Sequence, residues 1–214
     1  MLNTTRKGRG GAKEGRSRAV FLDRDGVLND LQYNQEEGTI GSPLSAKELR
    51  VNPYAGAAVR RIRELGYKAI LVSNQPGVAK RQLTYREFEK MNKTVREELA
   101  KEGGVLDGEY YCLHHPDALE RKYRLDCACR KPKPGLILRA AEENHVDLSE
   151  SYYVGDALVD VEAGRAAGCR TILLGHMTTF LARMIEEEGA EPDHVLPSLK
   201  AVPDLLTRLA VRAA

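Results

Sequence analysis

Two acidic side chains one residue apart, Asp23 and Asp25, are the groups in this sequence best suited to chemistry. They follow a short apolar run, residues 19–22, that predicts a buried β-strand, and Gly26 after them lets the backbone turn sharply. Ligands of parallel α/β sheets bind at the carboxyl ends of strands, where a carboxylate can act as a nucleophile or as a metal ligand. An ordinary Asp-x-Asp-Gly turn contains the same residues, so the pair by itself leaves both interpretations open.

A second apolar run, residues 68–74, ends in the hydroxyl of Ser73 and the carboxamide of Asn74. The chain turns after Gln75, at a Pro-Gly pair, and the turn exposes backbone N–H groups that can hold phosphate oxygens. An ordinary β-turn favours the same residue types, so the segment does not decide the matter alone. It is nevertheless a second strand end that carries groups suited to phosphate.

Three cations, Arg130, Lys131 and Lys133, stand just before a helix predicted to begin at Pro134. Positive charge at a helix N-terminus opposes the helix dipole unless an anion is bound there too, so the cluster favours anion binding over a solvated charged surface. Lysine can neutralise a phosphoryl group as a point charge, and arginine can hold another part of a phosphorylated substrate through two hydrogen bonds. The cluster therefore indicates a phosphorylated ligand.

Another apolar run, residues 152–155, is followed by Asp156, and Asp160 lies one turn into the next predicted helix. The two carboxylates can point to one region. Taken singly, Asp156 is more simply a helix-capping residue. Together with Asp23 and Asp25, however, these acids form the hard, oxygen-rich set of ligands that suits Mg²⁺.

Two short pairs, Cys112-x-His114 and Cys127-x-Cys129, supply three thiols and one imidazole. This donor set is the one that tetrahedral Zn²⁺ prefers, and because all four positions come from protein, the site is expected to be closed and structural. Cysteines one residue apart are poorly placed to bridge each other, which weakens a disulfide interpretation. Three buried cysteines without a ligand are the alternative, and His115 competes with its neighbour as the fourth ligand.

Apolar runs alternate with helical patterns from residue 18 onward, and this alternation predicts the α/β class with a Rossmann-like parallel sheet covered by helices on both faces. The predicted strands are 19–23, 68–74, 109–112, 152–155 and 171–174. The predicted helices are 53–65, 84–101, 134–144, 158–167, 180–188 and 203–213. Thr84 followed by Glu87 predicts a capping box. Residues 29–52 show no clear period, so we expect an irregular loop there that can cover a site.

Composition limits the partners of the chain. Its 214 residues are 42% hydrophobic and 30% charged, and a formal net charge of +2 gives no argument for a nucleic-acid or membrane partner. No apolar stretch approaches the ~20 residues that span a bilayer, so the cytoplasm is the expected compartment.

We expect a disordered basic tail at 1–17, either inert or a nucleic-acid-binding arm, followed by one domain at 18–214. Cys169 is most simply a buried small apolar residue.

Four motifs follow one another along the chain, and they are Asp23-Arg24-Asp25-Gly26, Ser73-Asn74, Lys131, and Gly155-Asp156 with Asp160. In these motifs and their order the sequence resembles the haloacid dehalogenase-like phosphatases. The resemblance implies a Rossmann-like fold, a Mg²⁺ cofactor and phosphoryl transfer through an aspartyl-phosphate. The chemistry is reasonable, because an ionised aspartate needs no base to act as a nucleophile, and Mg²⁺ with a lysine would offset its repulsion by the phosphate.

The resemblance also implies roles for individual residues. Asp23 would attack phosphorus and bind Mg²⁺. Asp25 would protonate the leaving oxygen, then activate water, and its backbone carbonyl would face the metal. Ser73 and Lys131 would stabilise the phosphoryl group during its transfer.

The same resemblance extends to residues around this centre. Asp156 would complete the protein's metal ligands, and Asp160 would support the site without binding the metal directly. Arg130 would contact the distal part of the substrate, with Asn74 and Gln75 nearby. The site is therefore expected to divide between phosphoryl transfer and substrate binding.

Segments 111–116 and 127–132 are similar to those of one branch of this superfamily, the heptose-bisphosphate and histidinol-phosphate phosphatases. That branch implies no large cap domain, a zinc-stapled loop and a small phosphorylated sugar as substrate. Removal of the 7-phosphate of D-glycero-D-manno-heptose 1,7-bisphosphate is the expected reaction. Two departures affect specificity, since the segment 30–49 is longer than expected and Ala157 stands where a lysine often follows the motif's aspartate.

Two alternatives remain open at this point. One is a phosphatase for histidinol phosphate or for another small sugar phosphate. The other, from a different class, is a nucleic-acid-binding zinc protein that uses the basic tail, such as a polynucleotide 3′-phosphatase. No long recognition helix separates the two zinc-ligand pairs, and the aromatic content is 6% without any Trp, which argues against nucleic acid.

Overall fold

The fold is built on a parallel β-sheet. The computed structural model describes residues 15–35 and 38–213, and all later statements refer to these residues. The strands are β1 Arg18–Leu22, β2 Gln32–Asn34, β3 Thr39–Gly41, β4 Tyr67–Asn74, β5 Gly108–Cys112, β6 Tyr152–Gly155, β7 Arg170–Leu174 and β8 His194–Leu196. Six of them form one parallel sheet in the order β5-β4-β1-β6-β7-β8, while β2 and β3 form an antiparallel hairpin.

Helices cover the two faces of this sheet. They are α1 Ala55–Glu64, α2 Tyr85–Lys101, α3 Gly135–Glu143, α4 Leu158–Ala167, α5 Thr179–Glu188 and α6 Val202–Ala213. One face carries α1 with α2 and α6, and the other carries α3 with α4. No described helix is long and apolar enough to cross a membrane. The predicted α/β class, with a parallel sheet between helices, is confirmed.

The central strand shows why an unbroken apolar run forms a strand here. Val20 and Leu22 of β1 belong to the core on the α1 face, whereas Ala19 and Phe21 belong to the core on the α3 face. Successive side chains of a strand point to opposite faces, so a strand buried on both faces must be apolar at every position. The same alternation applies on β4 and β6, which flank β1.

The predicted strands and helices are confirmed to within a few residues at their ends. Strand β1 ends at Leu22, so Asp23 follows the strand and does not belong to it. Two elements were not predicted. Strand β8 is only three residues long and has no fully buried side chain, and the hairpin β2–β3 lies inside the segment expected to be irregular.

The structure confirms the first hydrogen bond of the predicted capping box at α2 and gives Glu87 a different partner. The Thr84 hydroxyl accepts a hydrogen bond from the backbone N–H of Glu87, at 3.1 Å, as a capping box requires. The Glu87 carboxylate, however, accepts from the backbone N–H of Ala46 at 2.7 Å. This acid therefore ties the loop after the hairpin to α2.

Ser17, near the start of the described residues, is held by backbone hydrogen bonds on both sides. Its N–H donates to the carbonyl of His145, and its carbonyl accepts from the N–H of Asp147, at 2.9 and 2.8 Å. Residues 1–14 of the predicted tail lie outside the described residues. The described chain is thus joined to the α3 side of the sheet before β1 begins.

Candidate active site

The predicted catalytic groups meet at the carboxyl ends of three neighbouring strands. Strand β1 lies between β4 and β6, so the strand order reverses there and a crevice opens beyond the strand ends. Asp23 directly follows β1, Ser73 lies near the end of β4, and Asp156 directly follows β6. The backbone N–H of Asp23 donates to the carbonyl of Val154 at 3.0 Å, which fixes the first turn beyond β1 against β6.

Lys131 is buried in this crevice, and its ammonium group lies between two carboxylates and a hydroxyl. Its Nζ lies 3.0 Å from Asp23 Oδ2 and 2.6 Å from Asp160 Oδ1, and it donates to the hydroxyl of Tyr153 at 2.9 Å. The ammonium group therefore donates to one hydroxyl and forms ion pairs with two carboxylates. Burial alone would lower the pKa of Lys131, but the Asp160 and Asp23 carboxylates raise it well above its ordinary value. The residue is therefore a fixed positive charge.

Tyr153 is a member of this group that sequence reasoning missed. It lies on β6, and its hydroxyl both accepts from Lys131 and donates to the backbone carbonyl of Val72 on β4 at 2.8 Å. The side chain therefore reaches past β1, which lies between the two strands. A tyrosine in an apolar strand is common, so the local sequence carries no signal for this role.

Asn74 holds the backbone on which Lys131 is mounted. Its Nδ2 donates to the carbonyl of Lys131 and its Oδ1 accepts from the N–H of Lys131, both at 3.1 Å. This pair of hydrogen bonds joins the end of β4 to the loop before α3. The predicted substrate-binding residue thus also positions the buried cation.

Asp25 is surrounded by hydrogen-bond donors. Arg24 approaches it through Nε at 3.0 Å and Nη2 at 3.3 Å, Asn29 Nδ2 lies at 3.0 Å, and Gln75 Nε2 lies at 2.8 Å. The Ser42 hydroxyl also hydrogen-bonds to this carboxylate. Burial would raise the pKa of Asp25, but Arg24 and the other donors outweigh burial and lower it. Asp25 is therefore a carboxylate at neutral pH.

Arg24 links this carboxylate to helix α2. Its side chain is completely buried, and its Nη1 donates to Asn92 Oδ1 at 3.0 Å. A buried guanidinium needs both charge compensation and hydrogen-bond acceptors, and Asp25 and Asn92 provide them. The pairing joins residues 68 positions apart in the sequence, so it could not be recognised from local pattern.

Besides Asp25, three acids form a cluster in which negative charge exceeds the positive charge of Lys131. Asp23, Asp156 and Asp160 each offer a carboxylate oxygen, and these oxygens lie within 4.8 Å of one another. Burial raises the pKa of Asp156 to about 7, and the charges of Asp160 and Asp23 act in the same direction. Burial likewise raises the pKa of Asp23 to about 6, although Lys131 opposes it. A hard divalent cation would relieve this repulsion, so the donor set fits Mg²⁺.

Glycine permits this close approach of acids. Gly26 has a φ of +76°, and a Cβ added there would collide with the Asp156 carboxylate. The turn after the carboxylate pair therefore leaves room only for a residue without a side chain. Asp160 is held from the other side, because its Oδ2 accepts from the backbone N–H groups of Asp156 at 3.2 Å and Ala157 at 3.1 Å.

Gln75 bridges the two sides of the site. Its Nε2 lies 3.1 Å from Ser73 Oγ as well as 2.8 Å from Asp25 Oδ2. One carboxamide thereby sets the distance between the hydroxyl predicted to hold a phosphoryl group and the carboxylate predicted to transfer protons. It lies in the turn after β4, where the sequence had indicated a phosphate-binding segment.

The second predicted metal site is also brought together. The four side chains that converge are Cys112, His114, Cys127 and Cys129. Their sulfur atoms are 3.1 to 3.6 Å apart, and His114 Nδ1 lies 3.3 Å from Cys129 Sγ. A Zn–S bond of about 2.3 Å in a tetrahedron gives edges of roughly 3.8 Å, so the donors fit Zn²⁺ with little adjustment. The described cysteines are all free of disulfides.

The structure separates the two neighbouring histidines. Nδ1 of His115 accepts a hydrogen bond from the backbone N–H of Asp117 at 3.1 Å, outside the thiol cluster. His114 is the histidine of the cluster, and its carbonyl accepts from Nη1 of Arg130 at 3.4 Å. The loop that carries the cluster therefore also supports the predicted substrate-binding arginine.

Two named proteins are similar to this chain over most of its length. D-glycero-beta-D-manno-heptose-1,7-bisphosphate 7-phosphatase from Salmonella typhi is 36% identical over 191 residues, which cover 89% of this chain and 95% of the relative. The chain belongs to this family of HAD-like phosphatases. The protein of the same name from Escherichia coli strain K12 is 35% identical over 198 residues, covering 89% of this chain and 94% of that one.

Two further comparisons agree with the phosphatase family. A HAD-hydrolase-like family profile matches residues 128–202. The crystal structure of D,D-heptose 1,7-bisphosphate phosphatase from B. bronchiseptica, complexed with magnesium and phosphate, superposes with a TM-score of 0.73 at 30% identity. The superposition covers 90% of this chain and 99% of that one. The HAD-like fold inferred from the four motifs is thus confirmed.

Proposed function

We propose that this HAD-like phosphatase removes the 7-phosphate of D-glycero-D-manno-heptose 1,7-bisphosphate through an aspartyl-phosphate on Asp23. The observation that carries the proposal is the position of the Asp23 carboxylate. It lies at the end of the central strand, 3.0 Å from the fixed charge of Lys131 and beside the acids of the metal-ligand cluster. The substrate is that of the named relatives, with which the chain shares about a third of its residues.

In the first step, an oxygen of Asp23 attacks phosphorus and the bond from phosphorus to the sugar oxygen breaks. Charge on the phosphoryl oxygens is stabilised by Lys131 and by the Ser73 hydroxyl. Because Lys131 is already held by Asp160 and Tyr153, its charge needs no reorganisation when the substrate enters.

Asp25 carries protons in both steps. It donates a proton to the leaving sugar oxygen, and it later accepts one from the water that hydrolyses the aspartyl-phosphate. Its lowered pKa makes it a base in the free enzyme. A dianionic phosphate beside it raises the pKa of Asp25, since like charge favours the neutral form, and this prepares the acid for the first step.

Asp23 and Asp156, with the backbone carbonyl of Asp25, would hold Mg²⁺. When bound, the ion neutralises charge between an anionic nucleophile and an anionic substrate. Asp160 is the fourth acid of the site, and its salt bridge to Lys131 makes it a positioning residue.

The thiol cluster would hold Zn²⁺ with all four ligands from the protein, and its role is structural. Twelve residues, 115–126, separate the two ligand pairs, and the last ligand, Cys129, directly precedes Arg130 and Lys131. Zinc would therefore fix the loop that presents both cations. Arg130 is our candidate for contact with the distal part of the substrate. Gln75, in the turn after β4, is a second candidate for contact with the substrate.

The test is Mg²⁺-dependent phosphate release from heptose 1,7-bisphosphate beside histidinol phosphate, with Asp23→Asn as the inactive control. We expect a preference for the heptose and loss of turnover in the variant on the order of 10⁴-fold or more, because no nucleophile remains. Full activity of Asp23→Asn would contradict the aspartyl-phosphate. A preference for histidinol phosphate would retain the mechanism and reject the substrate.

A further inference from the structure

Asn92 is a polar residue on the buried face of helix α2, where it is 2% exposed. The other buried residues of this helix are apolar, and they are Phe88, Met91, Val95 and Leu99. A carboxamide taken out of water costs free energy unless its polar atoms are hydrogen-bonded, so an apolar residue would fill the same place at lower cost. The carboxamide therefore needs a specific partner in the core.

That partner is Arg24, whose completely buried side chain donates from Nη1 to Asn92 Oδ1 at 3.0 Å. The other edge of the guanidinium faces Asp25, with Nε 3.0 Å from Oδ1 and Nη2 3.3 Å from Oδ2. A guanidinium is planar and the directions of its N–H groups are fixed. The hydrogen bond at Nη1 therefore helps to set the plane from which Nε and Nη2 point to the carboxylate.

Arg24 holds the Asp25 carboxylate in a way that its other partners do not. Asn29 and Gln75 each give one hydrogen bond to one oxygen, whereas Arg24 contacts both oxygens. A donor pair that contacts both oxygens fixes the plane of a carboxylate as well as its position. The orientation of the guanidinium thus determines where a proton on Asp25 is directed.

The backbone of Arg24 is fixed without any contribution from α2. Its N–H donates to Asp23 Oδ1 at 2.8 Å, and its carbonyl accepts from the N–H groups of Leu28 at 2.8 Å and Asn29 at 3.1 Å. The side chain beyond this backbone is long and loses many rotamers when it is ordered. Asn92 is the contact through which α2 holds the far end of that side chain.

We propose that Asn92 is a positioning residue for proton transfer by Asp25 and that it acts through the guanidinium of Arg24. The inference rests on the proposed function, in which the proton passes from the Asp25 carboxyl to the sugar oxygen as the bond from phosphorus to that oxygen breaks. It extends the machinery from the strand ends to a helix that packs on one face of the sheet. A role in stability alone is the competing explanation for the same hydrogen bond.

The experiment uses two substrates that differ in their need for an acid. The sugar oxygen of heptose 1,7-bisphosphate is a poor leaving group without a proton, whereas the nitrophenolate of 4-nitrophenyl phosphate is stable as an anion. Asn92→Leu removes the acceptor and changes no charge. We expect the ratio of kcat/KM for the heptose to kcat/KM for 4-nitrophenyl phosphate to fall about tenfold, a part of the roughly 10²- to 10⁴-fold that general acid catalysis contributes.

Two further variants separate positioning from stability. Asn92→Asp keeps an acceptor oxygen in the same place, so the ratio should stay within about threefold of the wild-type value. Val95→Ala removes buried methyl groups from the same face of α2, so it should lower the free energy of unfolding and leave the ratio unaltered. Urea denaturation measures the stability of each variant. Asn92→Ala takes the place of Asn92→Leu if the leucine prevents folding, with the same expected ratio.

The outcomes distinguish this inference from the proposed function. A fall of the ratio that Asn92→Asp largely reverses supports the positioning role. An unchanged ratio after loss of the acceptor overturns it, and so does an equal fall in Val95→Ala or in Asn92→Asp. Failure of the wild type to release phosphate from either substrate overturns the proposed function, and the inference with it.

Discussion

The residues at the strand ends and the β2–β3 hairpin are built in opposite ways. Lys131 and Asp160 are 3% and 1% exposed, and they are paired with each other before any substrate arrives. On the hairpin, Tyr33 and Ile40 are 64% and 68% exposed. Charges must be fixed in advance to stabilise a transition state, whereas neutral groups on an exposed hairpin can be exchanged without disturbing them. The difference places fixed, buried charges at the strand ends and exposed, mostly neutral side chains on the hairpin.

After Asp23→Asn, the largest effect is expected from Asp160→Ala, since it leaves the buried ammonium of Lys131 without its shortest ion pair. We expect kcat to fall about 100-fold on heptose 1,7-bisphosphate and on 4-nitrophenyl phosphate alike. The free energy of unfolding should fall by about 3–5 kcal/mol, the cost of breaking a buried pair. Kinetics on both substrates and urea denaturation check this.

Glu97→Ala is the control for that variant, because it removes an exposed ion pair with Lys93 on α2. Its free energy of unfolding should change by less than about 0.5 kcal/mol. If Asp160→Ala lowered activity on the heptose alone, Asp160 would act on substrate binding and not through the charge of Lys131.

The second effect concerns the thiol cluster, which supports the cations from outside the crevice. Cys129→Ser removes one predicted zinc ligand, and we expect kcat/KM to fall roughly 10- to 100-fold as the loop before Lys131 loses its order. Metal content by elemental analysis and phosphate release are measured on the same preparation. Cys169→Ala is the matched control, because this thiol lies outside the cluster. Full activity of a zinc-free protein would show that the loop is held by other contacts.

The affinity for Mg²⁺ should rise with pH. The pKa of Asp156 is raised to about 7 and that of Asp23 to about 6, so below these values the carboxyls are protonated and must release protons to bind the cation. We expect the dissociation constant to be roughly tenfold lower at pH 8 than at pH 6. Titration calorimetry at the two pH values measures it. A constant independent of pH would mean that these carboxyls do not bind the ion.

The smallest effect is expected from Tyr153→Phe, which removes one hydroxyl and keeps the ring. Lys131 then loses its hydrogen bond to the Tyr153 hydroxyl, so kcat should fall about fivefold on both substrates with little change in KM. Tyr152→Phe is the control, because that ring packs on the other face of the sheet, with its centroid 6.0 Å from that of Tyr67. Equal behaviour of the two variants would contradict a positioning role for Tyr153.

Much of the fold was predictable because the sheet is buried on both faces. Strands such as β1 and β6 are then apolar at every buried position, and the polar residue that follows each run marks the strand end. Strand β8 escaped prediction because it is short and lacks a fully buried side chain. The hairpin escaped prediction because its apolar residues, including Ile40, face outward.

The sequence by itself determined the parts that depend on residue type and on position along the chain. These are the alternating elements, the acids at the strand ends, the lysine before α3 and the thiol and imidazole pairs. Only the tertiary structure decided which side chains form hydrogen bonds and ion pairs with one another. Arg24 meets Asn92, and Tyr153 reaches past β1 to Lys131, because strand order brings distant segments together. Such contacts depend on three-dimensional distance, and local sequence patterns do not encode it.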